Sequence, residues 1–428
     1  MIKTDKNLEK FENPGMHNQM YIVWDKAKGC FISYNKRKVL DFTSTIFVTN
    51  IGHGNKRLSK DLIKSINTPI IHSYNYINKN RIKYIRLLKD FCGSDFEKFH
   101  LLSTGSEATE AALKLMRLYG TKRKKRRNGV ITLKGNWHGR TMGAQLLCSD
   151  KNQKKWIGFN DPNIFHLDFP YPWIVKGKKQ DKFFYDSLDK IKKKINFKKD
   201  VCGIMLEAFQ GWGAIFYSKE YIKAIKKFCI KNDILLAFDE QQSGFGRTGK
   251  KFAYQHYGVK PDLICCGKGM GSGYPLSGVF AKSKVLNLAQ PGTFSSTHSA
   301  NPLACAAGIA TIKEINSKKL IERAKINGKY FQNELNKIKD LYPNFVASIQ
   351  GKGLIAAIIF KKKIKLKDKI IFGSKFADMI CFGALKSNLL LVRTGRESIK
   401  MGPPLIINKK LIKQGIKIIS SEIEKILK

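Results

Sequence analysis

Short apolar segments and amphipathic helical patterns alternate through the middle of this 428-residue chain, and this alternation constrains the fold more than any other feature. Apolar runs bounded by polar residues or glycine predict buried strands at Val130–Leu133, Val201–Leu206, Ile234–Phe238 and Leu263–Cys266. The spacing of apolar residues predicts helices over Ala108–Tyr119 and Lys219–Lys231. This order indicates an α/β fold with a mainly parallel sheet covered by helices on both faces. Ligands of such sheets bind beyond the carboxyl ends of the strands.

The pattern changes near residue 318. From there the sequence predicts three helices, at Lys319–Ile338, at Ser374–Asn388 and from Lys409 onward. It also predicts two strands, Gly353–Phe360 between the first two helices and Leu389–Arg393 before the last helix. The first 50 residues carry a short strand meander, Tyr21–Phe42. We therefore expect a large ligand-binding domain over residues 51–317 and a smaller α+β domain over residues 318–428, with the segment 1–50 packing on the smaller domain.

The net charge is extreme, with 79 Lys and Arg against 33 Asp and Glu, a formal charge of +46. Such a balance raises the possibility of nucleic-acid binding, and the strongest basic run is Lys122 to Arg127. The lysines are nevertheless spread along the whole chain, which is typical of a general compositional bias. We therefore expect neither a dedicated nucleic-acid face nor a nucleic-acid partner.

Cysteine, histidine and apolar content limit the class of protein further. The nine cysteines form no Cys-x-x-Cys motif and several lie in apolar runs, which is typical of reduced, buried thiols. The eight histidines show no metal-ligand spacing, so no metal site is expected. The chain contains no secretory signal among its first residues and no apolar run near the ~20 residues that span a bilayer. We expect a cytoplasmic protein without a membrane partner.

Small and hydroxyl-bearing residues lead into two of the predicted helices. The segment Ser103–Glu110 places Gly105 and Ser106 at the start of a helix, where open N–H groups and the helix dipole favour an anion such as phosphate. The alternative is an ordinary helix cap. The segment Gly292–Pro302 is a second hydroxyl-rich loop before a helix and is a weaker phosphate signal.

Two predicted strands end in residues that carry chemistry. The strand at Ile234–Phe238 ends in Asp239, which could keep a pyridine nitrogen protonated by its negative charge. The alternative is an acid that caps the next turn. Lys268 follows the strand Leu263–Cys266 between two glycines, where desolvation would make its amine nucleophilic. Lysine is usually a solvated surface charge, so only its place after a strand and between two glycines distinguishes Lys268 from the other lysines.

Together these segments resemble the class III aminotransferases, a family of fold type I enzymes that use pyridoxal 5′-phosphate (PLP). The resemblance covers about Asp41 to Pro404. Its most specific stretch is Phe238–Gly249, FDEQQSGFGRTG, which matches the family pattern Asp-Glu-x-Gln-x-Gly-x-Gly-Arg-Thr-Gly and leads to Lys268.

The resemblance implies a set of cofactor contacts. Lys268 matches the lysine that holds PLP as a Schiff base, and Asp239 matches the partner of the pyridine nitrogen. Gln242 matches the residue near the 3-oxygen, and Trp137 matches the aromatic residue stacked on the pyridine ring. Gly105 and Ser106 match the backbone that binds the phosphate, and Thr297 matches the threonine that reaches the phosphate of the neighbouring subunit. The last contact implies a homodimer with shared active sites. The family usually has Phe or Tyr where this chain has Trp137.

Three further positions bear on the substrate. Arg140 matches an arginine that binds a substrate carboxylate in several family members, the alternative being a structural ion pair. Glu207 matches a gate acid that pairs, in glutamate-using members, with an arginine three residues before a Pro-Pro-Leu motif. This chain has Lys400 at that position, a point charge without the guanidinium fork. The substitution puts the usual glutamate and 2-oxoglutarate pairing in doubt and leaves pyruvate or alanine as an alternative partner, although Arg393 or Arg396 could take the place of the missing arginine.

The resemblance implies an aminotransferase that moves an amino group from an ω-amino acid or other primary amine, such as a 4-aminobutyrate-like compound, to a 2-oxo acid by ping-pong kinetics. An isomerase on the same scaffold, an aminomutase of the glutamate-1-semialdehyde type or an amino-acid racemase, would use the same cofactor residues. A non-catalytic basic protein that binds nucleic acid is the alternative from another class, and it leaves Asp239, Gln242 and Lys268 unexplained.

Overall fold

The computed structural model describes residues 8–13, 15, 19–20, 22–68, 70–122, 127–175, 179–193 and 195–428. The basic run from Lys122 to Arg127 therefore lies largely outside the described residues, as does most of the N-terminal stretch. The chain forms two compact units. The large unit comprises Lys56–Gly211 and Ile215–Ile321, and the small unit comprises Met1–Asn55, Trp212–Ala214 and Glu322–Lys428. Their bounds differ by a few residues from the domain limits expected from the sequence, which stay a prediction.

Strands and helices are numbered in chain order. The strands are β1 Lys26–Lys28, β2 Phe31–Tyr34, β3 Arg37–Asp41, β4 Lys98–Leu102, β5 Gly129–Leu133, β6 Ile164–Leu167, β7 Val201–Glu207, β8 Leu235–Asp239, β9 Leu263–Cys266, β10 Ser277–Ala281, β11 Val346–Lys352, β12 Ile355–Phe360, β13 Lys363–Leu366, β14 Lys369–Phe372, β15 Leu389–Leu390, β16 Val392–Arg393 and β17 Ser398–Met401. The helices are α1 Leu8–Phe11, α2 Ser44–Phe47, α3 Lys56–Ile66, α4 Lys79–Cys92, α5 Gly105–Thr121, α6 Met142–Leu146, α7 Lys151–Lys154, α8 Pro172–Val175, α9 Gln180–Lys192, α10 Phe197–Asp200, α11 Lys219–Asn232, α12 Ser283–Leu286, α13 Pro302–Ser317, α14 Leu320–Leu341, α15 Gly373–Lys386 and α16 Lys409–Leu427.

The large unit is built on a mainly parallel sheet, as predicted. Its strand order is β4-β10-β9-β8-β7-β5-β6, and β10 runs antiparallel to both of its neighbours while the other pairings are parallel. Strands β5, β7, β8 and β9 are buried at every position because helices cover the sheet. The strands predicted from apolar runs are confirmed to within one residue at each end.

The core of the large unit lies between the sheet and α5. Apolar residues of this helix pack against strand residues in one buried cluster that includes Ala112, Met116, Val130, Met205 and Val279. The helix predicted over Ala108–Tyr119 begins three residues earlier and ends two residues later, because Thr104 and Glu107 form a capping box at its start. The cap fixes where the helix begins, and the core fixes which face it buries.

The small unit contains two four-stranded sheets. One joins the predicted N-terminal meander to the C-terminal segment, in the order β1-β2-β3-β15, and the other has the order β11-β12-β17-β16. The strand predicted over Leu389–Arg393 is divided: β15 pairs parallel with β3, whereas β16 pairs antiparallel with β17. A single apolar run could not reveal that the chain changes sheets at Leu391.

An unexpected backbone feature lies in the small unit. Ser44, Thr45, Ile46 and Phe47 all have φ between 46° and 69°, so α2 is one turn of left-handed helix. β-Branched residues rarely adopt this conformation, at a cost of about 1–2 kcal/mol per residue. Thr43 caps the turn at its start, and the Ser44 hydroxyl donates to the Gly402 carbonyl at 2.6 Å, which helps to hold it.

No helix in the described part of the chain is long and apolar enough to cross a membrane.

Candidate active site

The carboxyl ends of two adjacent strands bring the main candidate residues together. Asp239 is the last residue of β8 and pairs with Cys265 of β9, while Lys268 follows β9 by two residues. Lys268 has φ +44°, in the left-handed region that non-glycine residues seldom occupy. Such strain persists only where surrounding contacts enforce it, and it clusters at functional sites. The backbone therefore directs Lys268 at a defined position beyond the sheet.

The amine of Lys268 is tuned by its surroundings. Burial lowers the pKa of Lys268, and the charges of Asp239 and Glu207 oppose that change. Desolvation disfavours the ammonium form, so a larger fraction of the neutral amine exists near neutral pH than for an exposed lysine. A neutral amine is the form that attacks carbonyl compounds.

Asp239 is held by a residue that the sequence analysis missed. The ring nitrogen Nδ1 of His138 lies 2.9 Å from Oδ2 of Asp239, and both side chains are buried. Oδ1 of Asp239 accepts the N–H of Gln241 at 3.0 Å. The carboxylate is therefore oriented from two sides at the end of β8. A lone histidine 101 residues before Asp239 carries no spacing signal that could have indicated this pair.

The start of α5 presents open donors to the same region. The capping box occupies the N–H groups of Ser103, Thr104 and Glu107, whereas those of Gly105 and Ser106 have no acceptor among the described residues. Two open N–H groups at the positive end of a 17-residue helix suit an anion. A Cβ at position 105 would lie 1.9 Å from Oε1 of Gln241, so a larger residue there would displace the Gln241 side chain.

The segment after β5 supplies an aromatic ring and a guanidinium group. Trp137 is half-buried, and the guanidinium carbon of Arg140 lies 4.7 Å from the centroid of its ring. The N–H of Trp137 donates to Oε2 of the buried Glu207 at 3.2 Å, as does the N–H of Gly211. Glu207 therefore lies behind the loop that carries Trp137, where it fixes the backbone. Arg140 itself is exposed.

A cavity of about 340 Å³ gathers most of these groups. It is lined by Thr104, Gly105, Ser106, Trp137, His138, Gly139, Arg140, Asp239, Gln241, Gln242 and Lys268. Seven of the ten residues predicted from the sequence thus share one cavity of a size typical for small ligands. His138 and Gln241 are the polar members that the sequence analysis missed; Gln241 bonds to the Gly105 carbonyl through Nε2 at 2.8 Å.

The other three predicted residues do not line this cavity. Glu207 is behind Trp137, as described above. Thr297 is exposed on the loop before α13 and does not line the cavity, and its carbonyl accepts from His72 Nε2 at 2.8 Å. Lys400 belongs to the small unit, where it is 7% exposed and its ammonium lies 4.7 Å from the centroid of the Phe47 ring.

The cavity has the chemical groups that PLP requires. A lysine with a lowered pKa can bond to an aldehyde, an aspartate can face a protonated ring nitrogen, and Trp137 offers an aromatic face. The open N–H groups of Gly105 and Ser106 match a phosphate, and the missing Cβ of Gly105 leaves the backbone accessible. Fold and cavity together define a fold type I enzyme site for a planar aldehyde with an anionic tail.

Comparison with known proteins agrees with this class. The sequence pattern of the aminotransferase class-III family matches residues 13–423, and the chain belongs to that family. It is 33% identical over 406 residues to an acetylornithine aminotransferase of Caldanaerobacter subterraneus subsp. tengcongensis, covering 94% of this chain and 93% of the relative. It is 29% identical over 428 residues to an acetylornithine/succinyldiaminopimelate aminotransferase of Buchnera aphidicola subsp. Acyrthosiphon pisum, covering 99% and 97%.

A solved structure supports the fold independently of sequence. An ornithine aminotransferase from Toxoplasma gondii, described with partial occupancy of PLP at its active site, superposes with a TM-score of 0.86 at 23% identity. The match covers 100% of this chain and 97% of the other. The protein is therefore a PLP-dependent transaminase with the fold type I architecture. The alternative of a non-catalytic basic protein is excluded.

Proposed function

We propose that this transaminase takes the terminal amino group of an N-acylated ornithine-like amino acid and transfers it to a 2-oxo acid. In the donor, a terminal CH₂–NH₂ group becomes an aldehyde. In the acceptor, the keto carbon becomes a CH–NH₂ group, so the two-electron oxidation of one substrate balances the reduction of the other. The cavity that contains Lys268, Asp239, Trp137 and Arg140 carries the transaminase part of the proposal, and the named relatives support the donor class.

Lys268 has two roles in this proposal. It is the covalent anchor of the cofactor, because its amine has a lowered pKa at the end of β9. When it is not bonded to the cofactor, the Lys268 amine would accept the proton from the donor carbon that bears the amino group and pass it on. PLP supplies an electron sink for the bond that breaks at that carbon. The position of Lys268 in the cavity wall suits it for proton transfer, which contributes typically about 10²–10⁴-fold.

The remaining cavity residues hold and orient the cofactor. Asp239 would face the ring nitrogen, and His138 fixes the rotamer of Asp239 through the 2.9 Å contact. Trp137 stacks on the ring, Gly105 and Ser106 bind the phosphate through their N–H groups, and Gln242 faces the 3-oxygen. Each of these assignments follows the family correspondence, and the shared cavity supports them.

The donor class follows from the relatives and from Arg140. Acetylornithine is an ω-amino acid in the sense expected from the sequence, with an amine at one end and a carboxylate at the other, and it replaces the 4-aminobutyrate-like donor as the favoured compound. Arg140 is exposed at the cavity wall and bears a planar guanidinium, which binds carboxylates with two parallel hydrogen bonds. We assign Arg140 to the donor carboxylate.

The acceptor depends on the arginines of the small unit. Arg393 is committed to Asp378, to which it donates two hydrogen bonds at 2.9 and 2.7 Å. The guanidinium of Arg396 stacks on Trp212 at 3.8 Å. Arg393 is therefore engaged by Asp378, and Arg396 by Trp212 and by the carboxylate of Glu397 at 3.5 Å, so we propose pyruvate as the acceptor. Initial rates with pyruvate and 2-oxoglutarate test this choice: a strong preference for 2-oxoglutarate would overturn the interpretation of Lys400.

We also propose a homodimer with shared active sites, in the cytoplasm. Eight large apolar side chains between residues 63 and 82 of the large unit are exposed, and we propose that they form one apolar face: Ile63, Ile66, Ile70, Ile71, Tyr74, Tyr76, Ile77 and Ile82. This face adjoins the Thr297 loop through the hydrogen bond from His72. Contiguous exposed apolar surface usually marks an interface. The cytoplasmic assignment rests on nine cysteines that are all free and buried.

Mixed dimers test the sharing of sites. Lys268→Ala and Thr297→Asp are each expected to be inactive as homodimers. After the two are mixed, unfolded and refolded together, shared sites predict that activity returns, because one site of each mixed dimer then has both an intact Lys268 and an intact partner threonine. Unshared sites predict no recovery.

A donor panel tests the function. With pyruvate as acceptor, rates are compared for N-acetylornithine, ornithine, 4-aminobutyrate and N-succinyl-diaminopimelate. The proposal predicts the highest kcat/KM for an N-acylated donor. A clear preference for 4-aminobutyrate, or turnover of a single amino acid without any acceptor, would contradict it, the latter in favour of an isomerase.

A further inference from the structure

A buried carboxylate lies directly beside the site without lining the cavity. Glu240 follows Asp239 at the end of β8 and is 1% exposed. Its Oε1 accepts the N–H of Tyr254 at 2.7 Å, and its Oε2 accepts the N–H of Ala253 at 2.9 Å and the hydroxyl of Ser243. One carboxylate therefore closes the loop between residues 240 and 254 by bonding to both of its ends.

This loop carries two residues of the cavity wall. Gln241 donates its N–H to Asp239 Oδ1 at 3.0 Å and its side-chain amide to the Gly105 carbonyl at 2.8 Å. Gln242 lines the cavity next to it. The loop thus connects the acid that faces the ring nitrogen to the helix start that faces the phosphate. A change that weakens the hydrogen bonds of Glu240 therefore affects both Asp239 and the start of α5.

The ionised form of Glu240 is the one that fits these contacts. All three groups that point at its oxygens are donors, and a carboxylate accepts from all of them. Protonation on Oε1 would aim a hydrogen at the Tyr254 N–H, which cannot accept it, and protonation on Oε2 would require the Ser243 hydroxyl to turn and accept, so either site weakens the closure.

Burial brings this protonation into the neutral range. It raises the pKa of Glu240 to about 7, assisted by the charge of Asp239 and opposed by the hydrogen bonds from Ser243, Ala253 and Tyr254. The other ionisable groups that sense Glu240 are Tyr254, Tyr257 and Cys266. Burial raises the pKa of each of these three, so they stay neutral near pH 7, and the negative charge of Asp239 adds to the rise in the pKa of Glu240.

We infer that Glu240 is a positioning residue of the transaminase: its ionised carboxylate closes the 240–254 loop and thereby holds Asp239 and Gln242 against the cofactor. Protonation of Glu240 opens this closure. The inference concerns cofactor binding and holds for any amine donor, so it does not depend on the proposed substrate.

The variant Glu240→Gln tests it through cofactor affinity. Glutamine has the same shape but cannot ionise, and its NH₂ group would face N–H or O–H groups that donate to the carboxylate in the wild type. The dissociation constant of PLP from the cofactor-free protein is measured between pH 6 and 8.5 by quenching of tryptophan fluorescence, to which Trp137 in the cavity contributes. The variant should bind about tenfold more weakly at pH 8, and the ratio of the two constants should fall toward one below pH 7.

Glu314→Gln is the matched control. Glu314 is another buried carboxylate of the large unit, 3% exposed and paired with Arg57 and Lys318, and it does not line the cavity. Its variant should keep the wild-type affinity and pH dependence. Equal affinities of wild type and Glu240→Gln across the pH range, or the same change in both variants, would overturn the inference.

Hydrogen exchange of the wild-type protein gives a test that needs no variant. After correction for intrinsic exchange rates, protection of the Ala253 and Tyr254 amides should fall below pH 7, while protection of β5 stays constant. Constant protection of both amides from pH 6 to 8.5 would contradict a closure that depends on ionised Glu240, even if Glu240→Gln did not fold.

Discussion

His138 donates to Asp239 across a buried contact of 2.9 Å, although the two residues are 101 positions apart in the chain. The carboxylate only accepts, so the ring carries its proton on Nδ1. Leucine at 138 would leave Oδ2 without this donor, at a cost of about 1–3 kcal/mol, or roughly 10- to 100-fold in kcat/KM. Asparagine can place an amide nitrogen near the Nδ1 position and should restore most of the loss. Steady-state kinetics of both variants, alongside PLP affinity, check this; equal losses for Leu and Asn would show that bulk rather than the hydrogen bond matters.

Replacing Lys268 should stabilise the cofactor-free protein. Burial lowers the pKa of Lys268 in the folded state, so below the ordinary lysine pKa the unfolded chain binds more protons than the folded one. The wild type therefore loses stability as the pH falls. Lys268→Met removes this dependence and should raise the free energy of unfolding at pH 7 by about 0.5–2 kcal/mol, the usual range for a stabilising substitution.

Chemical unfolding of the cofactor-free forms at pH 7 and pH 10 measures the Lys268 effect. The gap between Lys268→Met and wild type should shrink at pH 10. A variant of an exposed lysine, Lys190→Met, serves as control and should show no such gap. A Lys268→Met protein that is less stable than wild type at pH 7 would mean that the lysine is solvated or paired in the folded state.

The requirement for glycine at position 105 can be tested by introducing a steric clash with Gln241 and then removing it. A Cβ at 105 would lie 1.9 Å from Oε1 of Gln241, and the three nearest atoms all belong to that side chain. Gly105→Ala should therefore weaken PLP binding at least about tenfold, because buried overpacking costs roughly 1–3 kcal/mol. Adding Gln241→Ala removes the clashing atoms, so the double variant should bind about as well as Gln241→Ala alone. If the double variant stays as weak as Gly105→Ala, the alanine blocks the phosphate itself.

Arg140 should act on the carboxylate of the donor and not on the amine. Its loss removes a charge-assisted hydrogen bond worth about 1.5–3 kcal/mol, so Arg140→Gln should raise KM for N-acetylornithine about 10- to 100-fold. An amine of similar length without a carboxylate, n-butylamine, should be little affected. A similar loss for both donors would assign Arg140 to the stacking contact with Trp137 instead.

The sequence predicted those parts of the site that depend on local order. Asp239 and Lys268 lie at strand ends, and apolar runs locate strand ends to within a residue. Gly105 and Ser106 lie at a helix start, which a capping box marks. Both kinds of boundary are written in a few adjacent residues, and parallel strands then bring their ends to one edge of the sheet.

What the sequence could not predict depends on contacts between distant segments. His138 is one of eight histidines and becomes distinctive only because β5 and β8 bring it to Asp239. The side chain of Glu240 bonds to the backbone N–H groups of Ala253 and Tyr254, which lie 13 and 14 positions later in the chain. Every residue except proline has such an N–H group, so the sequence does not indicate these bonds. The left-handed turn of Thr45 and Ile46 contradicts the preference of both residues, so no local pattern indicates it.

A half-reaction tests the central claim most directly, namely that this PLP transaminase transfers a terminal amine by a ping-pong route. The PLP-loaded enzyme is mixed with excess N-acetylornithine and no 2-oxo acid, and the aldehyde product is counted by mass spectrometry. We predict about one equivalent of aldehyde per subunit and then no further product until pyruvate is added, when aldehyde and alanine form in equal amounts. Continued conversion without a 2-oxo acid, or no aldehyde from this donor, would contradict the claim.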